Sequence, residues 1–220
     1  MSKQKLKISK GRPKNSGITS RALTQKEVRR LLTITRASKD HQSAINQTNM
    51  RNEALLYTGF HTCARISELC SLTVGDVVEN GAISSSVLFR KTKSGKSRRV
   101  PLSNDLKKKL NGYLLAYRVR HTDDSLMFSD ELPLFPSNKG SHFHPTSGSQ
   151  LIKSLLTEAG LEKAGGSHIM RKTGLTMMLN AGCSLEALRL ISGHSSISQL
   201  STYLCATTNQ VESAINQIKL

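Results

Sequence analysis

Five short stretches of this 220-residue chain hold side chains whose type and spacing could do chemistry. In chain order they are Arg65-x-x-Glu68, the basic run Lys91-Thr92-Lys93-Ser94-Gly95-Lys96, His168-x-x-Arg171, Gly193-His194, and Tyr203 nine residues after His194. Guanidiniums stay charged at any working pH, and a lysine among other cations has a lowered pKa and can give up its proton. Imidazoles accept or donate protons, and a tyrosine hydroxyl of ordinary pKa about 10 needs a base or a strongly positive site before it attacks. Such a set suits the handling of an anion. Each stretch alone has a plainer reading. Arg65 and Glu68 fit a helix-surface pair worth under about 1 kcal/mol. His168 fits a hydrogen-bonded structural histidine, and His194 fits a helix-end residue beside Gly193. No carboxylate cluster suggests a metal, and no Gly-x-x-x-x-Gly-Lys loop suggests ATP, so no cofactor is implied.

The elements that must position these residues are mostly helical. Thr24 with Glu27 three residues on has the capping-box spacing, and Val28, Leu31 and Leu32 give the helix that follows an apolar face. Further helices are predicted over 52–60, from Arg65 through Ile66, Leu69 and Leu72, over 105–118, 149–159, 171–180, 184–191 and 210–218. Between residues 81 and 102 the pattern changes to Ile83, Val87, Leu88 and Phe89, then the basic run, then Val100-Pro101-Leu102, which reads as a hairpin with a polar turn. The stretch 133–148, rich in Pro, Gly, Ser and His, reads as loop. The fold class is therefore mainly α with a small antiparallel β-sheet.

Lys and Arg outnumber Asp and Glu by 32 to 15, giving a net charge of +17 that points to a polyanion. The first thirty residues carry +9 of it. Residues 1–21 read as a basic arm without apolar periodicity. Within it, Lys10-Gly11-Arg12-Pro13-Lys14 resembles the core of an AT-hook, whose arginine enters a narrow minor groove; a solvated basic tail is the alternative. Aromatics make up 4% of the chain and Trp is absent, too few for stacking on single-stranded bases, so duplex DNA is the expected partner. No apolar run reaches the ~18 residues of a membrane span, and the N-terminus lacks a secretory signal's apolar core. The expected location is cytoplasmic, associated with the nucleoid. There Cys63, Cys70, Cys183 and Cys205 are free thiols.

Read in order, an arginine, a lysine in a hairpin turn, His-x-x-Arg, Gly-His and a tyrosine nine residues later resemble the catalytic constellation of the tyrosine recombinases, the phage integrase family. Arg65-Ile66-Ser67-Glu68-Leu69 with Ser71, Leu72 and Asp76, Arg99-Val100-Pro101-Leu102 and Pro133-Leu134-Phe135-Pro136 extend the likeness over about residues 22–205. The resemblance implies a catalytic domain over 22–220 that breaks and rejoins DNA through a 3′-phosphotyrosine, without a cofactor. Arg65 and Arg171 would clamp the phosphate, with Glu68 orienting Arg65. Tyr203 would be the nucleophile and His168 its base or hydrogen-bond partner. Lys93 would be the general acid, with Lys91 and Lys96 as rivals in the same turn and as DNA contacts. His194 would donate to a non-bridging oxygen. Inversion, resolution and integration all stay open, as does a DNA-binding regulator that no longer recombines.

Departures from the family pattern are Cys63-Ala64 in place of a glycine and an apolar residue, Lys172 in place of histidine, and Ser192 in place of leucine. They are expected to loosen packing around the site. Only some twenty residues precede the catalytic domain, where most members carry a core-binding domain of about a hundred. This arrangement, with His61 ahead of Arg65, is similar to the short fimbrial-switch invertases. A homotetramer on DNA, helped by DNA-bending proteins or a partner recombinase, would supply the missing grip. The tail beyond Tyr203, with Val211, Ala214, Ile215 and Ile218 at helical spacing, would pack on a neighbouring protomer or on its own domain.

Overall fold

Two long helices crossing a third build the interior of the computed structural model, which describes residues 21–35, 44–90, 95, 97–121 and 129–203. Helix α1 spans Gln25–Ile34, α2 Ala44–Thr62, α3 Ile66–Cys70, α4 Asn104–His121, α5 Pro145–Glu158, α6 His168–Asn180 and α7 Leu185–Ser192. α2 packs on α4 and on α6, while α5 receives α1 and α3. Leu55 and Leu56 of α2 meet Leu106 and Leu110 of α4, Leu31 of α1, Leu69 of α3 and Ile152 and Leu156 of α5 in one continuous core. Each such side chain contributes about 1.5–3 kcal/mol by leaving water.

The capping box at the start of α1 forms as its sequence dictates. Thr24 Oγ1 accepts the Glu27 N–H at 3.3 Å and the Glu27 carboxylate accepts the Thr24 N–H at 2.8 Å. Leu23 just before it is buried, and its N–H donates to Thr173 Oγ1 of α6 at 3.0 Å, which ties the chain's entry to the helix that carries Arg171.

Among the described residues the β structure is two small antiparallel ribbons rather than one sheet. β1 (Val78–Glu79) pairs with β2 (Ala82–Ile83), and β3 (Ser86–Phe89) pairs with β4 (Arg98–Pro101) in the register Ser86 to Pro101 and Phe89 to Arg98. The second ribbon is the hairpin expected from the sequence. The first was not anticipated, because two-residue strands are too short to show alternation. The stretch 133–148 is not loop throughout. α5 begins at Pro145, since proline at the first helical position sacrifices no hydrogen bond, and His144 Nδ1 accepts the Thr146 N–H at 3.4 Å. Upstream, the Leu134 N–H donates to Leu72 O at 2.9 Å, and Leu134 and Phe135 are buried. Tyr113 and Tyr117 are core residues, and Tyr113 donates to Leu134 O at 2.8 Å. The proposed basic arm and the tail helix over 210–218 lie outside the described residues.

A smaller core of Cys63, Leu175, Leu188 and Leu200 lies where the end of α2, α6, α7 and the 3-10 turn Ile197–Tyr203 come together. Gly174 of α6 makes this approach possible. A Cβ there would sit 2.2 Å from the Phe60 carbonyl oxygen of α2 and 2.8 Å from Cys63 Sγ. Backbone cannot yield as a flexible side chain does. Gly174→Ala should therefore cost about 3 kcal/mol and lower the Tm by roughly 10 °C, read by circular dichroism. An unchanged Tm would mean that α2 and α6 separate freely.

Candidate active site

Arg65 caps α3 from an extended conformation, and Glu68 one turn later reaches back to it. The Glu68 carboxylate accepts the Arg65 N–H at 2.7 Å and the Arg65 guanidinium at 3.2 Å. Its principal partner is Arg98 of β4, which donates from both terminal nitrogens at 2.9 Å. Arg98 also donates from Nε to Ile191 O of α7 at 3.0 Å and lies over the Phe89 ring at 4.3 Å. Glu68 is 2% exposed and the Arg98 side chain 10%. Burial opposes ionisation of Glu68, but the hydrogen bonds and charge of Arg98, with those of Arg65, outweigh it and hold its pKa below the usual carboxylate value. Glu68 thus touches Arg65, while spending most of its acceptor capacity on Arg98, a residue absent from the sequence expectations. A signal did exist: Arg98 opens the strand that leaves the basic turn.

Arg171 stands one helical turn into α6 and is 3% exposed. One of its terminal nitrogens donates to Cys63 O and to Ser192 O, each at 2.8 Å, and the other meets His194 Nε2 at 3.0 Å. Cys63 adopts a left-handed backbone with φ 51°, the conformation that glycine tolerates, and this turns its carbonyl into reach of Arg171. Burial pushes the Cys63 thiol up to about 12, so it stays protonated. The expected loosening at Cys63 does not occur, since the sulfur fills the small core. Gly193, at φ 68°, ends α7 in the left-handed conformation, and its αL turn sets His194 beside Arg171. Burial, then the charges of Arg171, Arg65 and Arg98, push the His194 pKa down to about 4 against the opposing pull of Glu68. Arg65, Glu68, Arg98, Arg171 and His194 are therefore one electrostatic cluster.

His168 is exposed at the first position of α6, a turn before Arg171. The 3-10 turn Ile197–Tyr203, which ends on Tyr203, packs on α6 and α7. Lys91, Lys93 and Lys96 lie outside the described residues, as do Lys10, Arg12 and Lys14. His61 faces away from this chemistry in its contacts: its Nδ1 is 2.9 Å from Ser103 Oγ and its ring stacks on Tyr57. Among the described residues no helix is long and apolar enough to cross a membrane.

Residues 21–210 match the family model described as the phage integrase family. The tyrosine recombinase XerD of Rhizobium meliloti (strain 1021) is 30% identical over 193 residues, covering 87% of this chain and 58% of that protein. The tyrosine recombinase XerA of Pyrococcus horikoshii is 26% identical over 214 residues, covering 97% of this chain and 64% of that protein. The fold is similar to a crystal structure of XerA recombinase with a TM-score of 0.69 at 25% identity, covering 90% of this chain and 66% of that one. It is also similar to XerH recombinase bound to palindromic difH substrate in a post-cleavage complex, with a TM-score of 0.65 at 23% identity, covering 90% of this chain and 53% of that one. The chain thus spans between half and two thirds of the length of these relatives.

The depressed pKa of His194 has a measurable consequence. The unfolded imidazole takes up its proton near 6.5 and the folded one only near 4. Its contribution to stability is therefore complete above pH 6.5 and is lost as the pH falls towards 4. Urea unfolding at pH 7 and pH 4.5 should show a smaller loss for His194→Asn than for the native chain. Equal losses would place His194 in an ordinary solvated setting.

Proposed function

We propose that this chain, which belongs to the phage integrase family, acts as a site-specific DNA recombinase that cuts and rejoins duplex DNA through a covalent 3′-phosphotyrosine. What supports the reading most is the buried Arg171, held by two main-chain carbonyls and paired with His194 in a cluster that includes Arg65. Holding a guanidinium in place before the substrate arrives removes the reorganisation cost of stabilising a pentavalent phosphorane, whose charge exceeds that of the ground state. A binding surface has no need of that preparation.

In the reaction the Tyr203 hydroxyl attacks phosphorus and passes its proton to His168. The bond from phosphorus to the 5′ oxygen breaks, and Lys93 protonates that oxygen as it leaves. Arg65 and Arg171 hold the non-bridging oxygens, with His194 donating beside them. Rejoining reverses each transfer, so the bond energy stays in the phosphotyrosine. Residues 22–220 form the catalytic domain and 1–21 a basic arm that grips phosphate. DNA is the partner and the nucleoid the location. Synapsis takes a homotetramer, assisted by bending proteins or a partner recombinase, and inversion, resolution and integration are equally served by this chemistry.

Incubation with nicked suicide duplexes should trap a covalent 3′ adduct, and Tyr203→Phe should abolish it. Binding without an adduct across a broad set of sites would instead favour a regulator on the same fold.

Deleting residues 1–20 should weaken duplex binding and flatten its salt dependence, because fewer counterions are released, at about 0.9 per phosphate neutralised. Titrations at several salt concentrations read the slope, and a slope equal to that of the full chain would show that the arm does not touch phosphate.

A further inference from the structure

Ser192 is fully buried, and its hydroxyl has three partners for one hydrogen. Oγ lies 2.6 Å from Leu188 O and 2.7 Å from His194 Nδ1, with Arg189 O farther off at 3.4 Å. A carbonyl only accepts, so the hydroxyl hydrogen goes to Leu188 O, and Oγ accepts from a protonated Nδ1. On the other side of the ring Arg171 has only hydrogens to offer, so Nε2 carries a lone pair. The network therefore assigns His194 the Nδ1–H tautomer. In that form Nε2 has no hydrogen to give.

A phosphate changes the balance. Its anionic oxygen is a stronger acceptor for Arg171 than a neutral imidazole. Once the Arg171 terminal nitrogen beside His194 donates to it, with the rest of the guanidinium still held by the two carbonyls, Nε2 can serve the phosphate only by acquiring a hydrogen. Nδ1 must then become an acceptor and needs a donor within reach. The Ser192 hydroxyl is already at 2.7 Å and needs only to rotate about its Cβ–Oγ bond, away from Leu188 O.

We propose that Ser192 is a two-position hydroxyl that lets His194 exchange tautomers, from a resting form accepting from Arg171 to a working form donating from Nε2 to the phosphate. Ser192 is thus a positioning residue, and the inference rests on the recombinase reading for the identity of that phosphate. The half-buried ring takes a proton from solvent at Nε2 and returns the one on Nδ1 to solvent, so one proton is gained, one is lost and its net charge does not change. Burial, then the charges of Arg171, Arg65 and Arg98 around the ring, keep the resting form neutral at pH 7, and Glu68 opposes them only in part. The Ser192 carbonyl meanwhile stays on Arg171, so rotation of the hydroxyl leaves the clamp anchored.

Nitrogen NMR of the full chain labelled at histidine tests this directly, because protonated and bare imidazole nitrogens resonate far apart. The probe is the tightest-binding duplex selected from a random-sequence pool, with Tyr203→Phe keeping the complex uncut. His194 should be protonated at Nδ1 without DNA and at Nε2 with it; the same tautomer in both states overturns the proposal. Ser192→Ala should slow adduct formation by roughly tenfold at unchanged DNA affinity, while Ser192→Thr, which keeps the hydroxyl, restores most of the rate. A native rate in Ser192→Ala also overturns it. An adduct without a change of tautomer rejects the two-position hydroxyl alone. A change of tautomer on binding without any adduct supports it and rejects the recombinase reading alone.

Discussion

One buried carboxylate organises this molecule. Glu68 has left water almost completely, which would be prohibitive for an isolated charge, and it survives there because four donors from Arg65 and Arg98 converge on its two oxygens. Removing either partner would strand the other, at a cost of about 3–5 kcal/mol. The pair is an expensive way to stabilise a fold, since apolar residues of similar volume do as well or better. What it provides is register. Arg98 sits at the end of the hairpin turn that holds Lys93 in sequence, Arg65 begins α3, and Ile191, which takes the Arg98 Nε–H, lies two residues before Gly193. One carboxylate and its two arginines thus tie together three segments that the proposed chemistry needs.

The second device is a strained main chain. A side-chain-bearing residue held at positive φ costs about 1–3 kcal/mol, and Cys63 bears that cost two residues before Arg65. Glycine at this position would relieve the strain but leave a hole beside Leu175, Leu188 and Leu200. Cysteine is the compromise, small enough for the left-handed turn and apolar enough for the core, with a thiol kept protonated by its surroundings.

Much of this was legible in the sequence, for identifiable reasons. Thr24 and Glu27 act within one turn of chain, so their spacing alone announces a helix start. Arg65, Arg171 and His194 stand out because their order is distinctive, although each is ordinary by itself. Arg98 escaped notice because its partner lies thirty residues away and nothing in the run Ser97-Arg98-Arg99 says which arginine turns inward. Ser192 looked like a defect, since a hydroxyl in an apolar position has no meaning until its neighbours are known. α5 starts four residues before the position its sequence suggests, because Pro145 belongs by composition to the loop before it and yet initiates the helix. For Lys91, Lys93, Lys96 and the basic arm, the sequence is all that speaks.

The small core behind the site has a mechanical meaning. Leu200 belongs to the turn that ends at Tyr203, and in that core it shares space with Cys63, whose carbonyl holds Arg171. Close-packed side chains transmit displacement rather than absorb it. A pull on the tyrosine-bearing turn is therefore felt at Leu200, then at Cys63, and through one carbonyl at the arginine. The proposed nucleophile and the proposed clamp are thus joined by a lever about three residues long, and in the proposed reaction a turn drawn out of place would disturb Arg171 in the same movement.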